Sequence, residues 1–77
     1  MGAIHTVKLG KLRNFLKAKG FIEIRQRGSH LIFDKKGLER SIPIPIHGKE
    51  VRFYSCIQIM RVLKMSREEF LKELNKY

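Results

Sequence analysis

A chain of 77 residues with 17 lysines and arginines against 7 acidic residues has room for one domain, 1–77, and its net charge of +10 draws polyanions. The single cysteine, Cys56, excludes an internal disulfide, and no apolar run approaches the roughly 20 residues that span a bilayer. The start, Met1-Gly2-Ala3-Ile4-His5-Thr6, has neither the charged opening nor the apolar stretch of a signal peptide, so a reducing cytoplasm is the expected location.

In chain order, Thr6 is placed to cap a first helix running to about Lys19. Leu9, Leu12 and Leu16 fall on one stripe of it, flanked by Phe15, with Asn14 and Lys17 on the other side. Gly20 ends the helix in the left-handed position that residues with a Cβ avoid. Phe21 to Arg27 then reads as a strand in which Ile22 and Ile24 alternate with Glu23 and Arg25. Gly28-Ser29-His30 forms a hairpin tip, and in the second strand Leu31 and Phe33 alternate with His30, Ile32 and Asp34. If the isoleucines and Leu31/Phe33 face the core, Arg25, Arg27 and His30 share the opposite, open face. Asp34-Lys35-Lys36-Gly37 turns the chain into a third strand, Arg40 to Ile46. Its prolines, at 43 and 45, lack donors on one side, which makes that side an unpaired edge and discourages strand addition there.

His47-Gly48-Lys49 ends this strand. A second helix over about Ser55 to Lys64 sets Cys56, Ile59, Met60 and Leu63 on one face, with Cys56 expected as a small buried hydrophobe and the methionines as core fillers. Ser66-Arg67-Glu68-Glu69 is a capping box, Met65 with Phe70 a hydrophobic staple, and Phe70, Leu71, Leu74 and Tyr77 continue the stripe of a last short helix. The expected fold is α+β, α-β-β-β-α with a three-stranded antiparallel meander, the layout of double-stranded-RNA-binding domains plus an extra short C-terminal helix. Only one sheet face is apolar, so the helices share it.

The cations are spread over helices and strands, whereas a membrane-surface protein concentrates them on one amphipathic helix. Residues 1–27 carry seven cations and one acid, Glu23. Nucleic acid is therefore the favoured partner, and an acidic inhibitor could use the same surface. The chain has no glycine-rich phosphate loop. His5, His30 and His47 are widely separated, one cysteine completes no zinc set, and Asp34 is the only aspartate, so no metal site is expected. Ser29 and His30 are adjacent on a strand and point apart, which disfavours a Ser/His pair. What remains is a metal-free attack by an RNA 2′-hydroxyl on its own phosphate, needing a base for the proton and cations for the developing charge.

The run Leu16-Lys17-Ala18-Lys19-Gly20-Phe21, followed by Arg25-Gln26-Arg27-Gly28-Ser29-His30, resembles the HicA toxins of bacterial and archaeal toxin–antitoxin systems. The likeness continues through Ile42-Pro43-Ile44-Pro45-Ile46-His47-Gly48-Lys49-Glu50, Ile59-Met60-Arg61-Val62-Leu63 and Ser66-Arg67-Glu68-Glu69-Phe70. One departure is Phe53-Tyr54-Ser55-Cys56, where members usually have a Gly-Thr-Leu-like start to the second helix. The resemblance implies a double-stranded-RNA-binding-like fold, an mRNA endoribonuclease of a type II system without cofactor, and a catalytic histidine at His30. It also implies a HicB-like antitoxin as partner. Arg25, Arg27, Gly28, Ser29 and Lys49 are the expected RNA contacts, with His47 a weaker second histidine, and the free toxin is expected to be a monomer with no membrane association. Two alternatives stay open: a non-catalytic RNA-binding module of the same fold, and a purely protein-binding adaptor.

Overall fold

The first turn of the first helix departs from expectation because Thr6 and Val7 take an extended conformation. In the computed structural model, which describes residues 6–77, the chain begins with a strand β1 (Thr6–Lys8), and the helix α1 follows as Leu9–Ala18. Lys8, not Thr6, is the residue before the helix, and it makes no side-chain cap. The cause is non-local: β1 pairs antiparallel with a late strand β5 (Glu50–Arg52), which buries Val7 against Val51. His5 and the expected absence of a leader lie outside the described residues.

Gly20, at φ +91°, ends α1 as the sequence predicts. Three strands follow, β2 (Phe21–Arg27), β3 (His30–Lys35) and β4 (Ile42–Pro45), in an antiparallel sheet of order β2-β3-β4. Leu31 and Phe33 point into the core beside Ile42 and Ile44. β4 is an edge, with Pro43 and Pro45 accepted there because an outer strand has no neighbour to satisfy.

The alternation expected for β2 is overturned. Ile22 and Ile24 are 65% and 49% exposed, and Phe21 is the buried residue. Glu23 pairs with Phe33, the next pairing is Arg25 with Ile32, and Ile24 between them has no partner, so β2 carries a bulge. Such an extra residue flips the side chains beyond it to the other face. Phe21 and Glu23 therefore lie on the helix side, where Glu23 accepts from Arg13 of α1 at 2.9 and 3.2 Å. Arg25 and Arg27, of the same parity, lie on the open side.

A single 3₁₀ turn (Phe53–Cys56) leads into α2 (Ile57–Leu63), so the second helix is shorter than Ser55 to Lys64. The last helix, α3 (Arg67–Leu74), has the expected capping box: Ser66 Oγ accepts from the Glu69 N–H at 3.1 Å, and Glu69 Oε1 accepts from the Ser66 N–H at 2.8 Å. One core unites the elements: Leu12, Phe15 and Leu16 of α1, Ile59 and Met60 of α2, Phe70 and Leu74 of α3, and the inward residues of both sheets. Phe15 meets Phe70 edge-on, ring centres 5.2 Å apart. The α+β architecture with a three-stranded antiparallel sheet stands, with the small β1–β5 ribbon added.

Candidate functional site on the open sheet face

Two residues, Gly28 and Ser29, join β2 to β3. Gly28 has φ +60° while Ser29 stays at negative φ, the pattern of a type II′ hairpin turn with glycine first. A Cβ at Gly28 would meet no atom within 4 Å, so the need for glycine here is conformational rather than spatial. Gln26 Nε2 donates to the Gly28 carbonyl at 3.0 Å, and the Ile46 N–H donates to the Ser29 carbonyl at 2.8 Å, which ties the tip to the end of β4.

The strand register assembles the face beyond the turn. His30 lies between Arg27 on β2 and Pro45 on β4; Ile32 lies between Arg25 and Pro43; Asp34 lies opposite Ile22. Directly opposed residues share a face, with Cβ atoms about 4.5–5.5 Å apart. Arg25, Arg27 and His30 are all exposed and thus form one surface. Its charge is not neutralised: the ion pairs among the described residues are Lys8–Glu50, Arg13–Glu23 and Lys19–Glu73, and none involves Arg25 or Arg27. Asp34 sits at the far end of the row from His30 and accepts from its neighbour Lys35's N–H at 2.8 Å.

Lys49 belongs to a second turn, closed by reciprocal backbone bonds between His47 and Glu50 at 2.8 and 3.0 Å, with Gly48 at φ +64°. The Ile46–Ser29 bond brings this turn to the same end of the sheet as Gly28-Ser29, and the Leu9 N–H on the Lys49 carbonyl at 2.9 Å adds the start of α1. The turn thus adds the exposed Lys49 cation to that end. His47 is engaged elsewhere: its Nε2 accepts from Arg52 Nε at 3.3 Å. Arg52 was invisible as a site neighbour because β5 was not expected; the buried Val51 between charged Glu50 and Arg52 is the alternation that signals it.

Cys56 is fully buried, and burial pushes its thiol up to about 12, so it is a packing residue and no nucleophile. Among the described residues, no group of three or more His, Cys, Asp or Glu side chains is placed to hold a metal ion, and no helix is long and apolar enough to cross a membrane.

The class this defines is a small basic α+β domain, built like a double-stranded-RNA-binding domain, with an arginine-flanked histidine on the open face of its sheet. Residues 11–65, more than half of the chain, match the family described as the HicA toxin of bacterial toxin–antitoxin systems, and the chain belongs to that family. The match takes in α1 from Lys11 onward, the whole β2-β3-β4 sheet and α2, and stops short of α3. No curated protein and no solved structure matches the chain. Membership of the family supports a toxin role in the context of a toxin–antitoxin system.

Proposed function

We propose that this toxin is an endoribonuclease that cleaves mRNA without a metal ion, with His30 as general base and acid, and that a HicB-like antitoxin restrains it in the cytoplasm. The observation that carries this reading is the cross-strand placement of exposed His30 beside Arg27, with Arg25 two pairs further along and on the same face. His30 takes the proton from a ribose 2′-hydroxyl, and the 2′-oxygen attacks the adjacent phosphorus. The bond to the 5′-oxygen breaks, leaving a 2′,3′-cyclic phosphate. The imidazolium returns its proton to the departing 5′-oxygen, so the histidine is regenerated. Arg27 and Arg25 stabilise the charge that builds on the phosphoryl oxygens. Lys49 and the main chain of Gly28 and Ser29 hold the flanking backbone, since phosphate contacts position nucleic acid.

The test is cleavage of a defined RNA by wild type and His30→Ala, each with and without EDTA. Because His30 is exposed, its removal should leave the fold and RNA binding in place while cleavage falls by about 10²–10⁴-fold. Wild-type cleavage should persist in EDTA. Equal cleavage by the variant would overturn the role of His30. Loss on chelation, restored by a divalent ion, would overturn the metal-free mechanism. RNA that binds and is never cut would mark the protein as a binding module.

A further inference from the structure

The two edges of the three-stranded sheet are treated in opposite ways. β4 is closed to further strands by Pro43 and Pro45. β2, the other edge, is seven residues long, contains no proline and pairs with nothing on its outer side among the described residues. Its main-chain groups can be assigned by elimination. The prolines have no N–H, so the β3–β4 ladder runs through Leu31 with Ile44 and Phe33 with Ile42. His30 and Ile32 then turn their backbone groups toward Arg27 and Arg25. Alternation leaves the N–H and C=O of Gln26, between those arginines, pointing outward. Ile22 and Ile24 on the same strand are among the most exposed large aliphatic side chains, at 65% and 49%. A long unpaired edge bearing exposed aliphatics is a template for strand addition unless something covers it.

Resting on the reading that an antitoxin restrains this toxin, we propose that β2 is where it docks, by adding an extended strand to the outer edge. The strand brings apolar side chains to Ile22 and Ile24 and acidic ones to Arg25 and Arg27. Charge chooses this occupant over a second copy. Arg25 and Arg27 have no acidic partner, and another chain of the same kind would add a further +10 to the edge. The bulge at Ile24 narrows the choice further, because it breaks the even repeat that lets a strand pair indiscriminately. Main-chain bonds then supply affinity, and alternate side chains supply selectivity. A strand in this place lies two strand spacings, about 10 Å, from β3, so its acidic side chains take the arginines away from RNA beside His30.

The experiment uses the full chain carrying His30→Ala and, as probe, a purified HicB-like antitoxin. Hydrogen exchange is followed residue by residue, free and in complex. The Gln26 amide and its β2 neighbours should slow about tenfold or more on binding. The double variant Ile22→Asn/Ile24→Asn, both positions being solvent-exposed, should weaken the complex about tenfold or more while leaving RNA affinity within about twofold. A complex that forms without β2 protection, or is untouched by the double variant, would overturn the edge while leaving the antitoxin reading intact. No complex at any salt would overturn both. Self-association of the free chain with protection of the same amides would make the occupant a second copy.

Discussion

Arg27 and His30 close the hairpin as a directly opposed pair, whereas Arg25 stands two pairs further on, against Ile32. If charge on the phosphoryl group is what the arginines answer, distance from the histidine ranks them. Arg27→Ala should lower cleavage by about 10²–10³-fold, the scale of losing one oxyanion donor, and Arg25→Ala by less, with both variants folded because both side chains are exposed. Single-turnover cleavage and RNA affinity, measured side by side, separate this from a uniform loss of binding; equal effects would remove the ranking. That these three residues share a face was legible in the sequence, but for the wrong reason. Strict alternation put Ile22 and Ile24 inside, and the bulge that sends Phe21 inward and Arg25 outward leaves no mark in composition or period. Cys56, read as a buried hydrophobe, is one. Burial raises its thiol from an ordinary 9.0 to about 12, so the unfolded chain releases this proton first as pH rises. Its contribution to stability is therefore complete below about pH 9 and is lost toward about pH 12. Denaturant titrations across that range should show the decline, and thiol reagents should label Cys56 only when the chain unfolds.

Elements whose ends are written locally were the legible ones. Gly20 stops α1, and Ser66 with Glu69 starts α3, each through groups within a few residues of one another. β1 and β5 escaped the reading, because the one alternation that marks β5, Glu50-Val51-Arg52, is only three residues long and the stability of both strands comes from a partner more than forty residues away. Thr6 therefore looked like a cap while serving a ladder. The capping box gives a direct check: Ser66→Ala should cost about 1 kcal/mol, visible as a Tm lower by about 4–8 °C in a domain of this size. An unchanged Tm would mean that packing of Phe70 and Leu74 alone sets the start of α3. The same helix is tied to the end of α1 by Lys19 and Glu73, 2.7 Å apart. Their hydrogen bond holds the Glu73 carboxyl below its ordinary range, so what the pair contributes is present above that range and fades as acid protonates it. Phe15 sits where all these elements meet. Truncating a buried Phe to Ala costs about 3–5 kcal/mol, as much as a core of this size supplies in total, so Phe15→Ala should not fold.

At the scale of the whole molecule, a small core and a large charge pull against each other. A net +10 on 77 residues repels itself, and anything anionic that binds the folded chain relieves that repulsion. Under the proposed function, RNA and an acidic antitoxin would draw on the same field and meet the same arginines on the open sheet. Their competition follows from that shared surface. RNA affinity should fall steeply with salt, because each phosphate neutralised releases counterions. Antitoxin association should slow with salt too, since steering acts over about 8–10 Å at physiological ionic strength. Its dissociation should respond much less, because apolar contacts at Ile22 and Ile24 and main-chain pairing are not screened. Raising salt should therefore shift competition toward the antitoxin, because RNA loses affinity with every phosphate contact while the antitoxin loses only what its slower association costs. Stopped-flow association at several salt concentrations, with labelled RNA as competitor, measures both. Antitoxin and RNA bound together without interference, or an antitoxin on-rate indifferent to salt, would show that the two do not share this face.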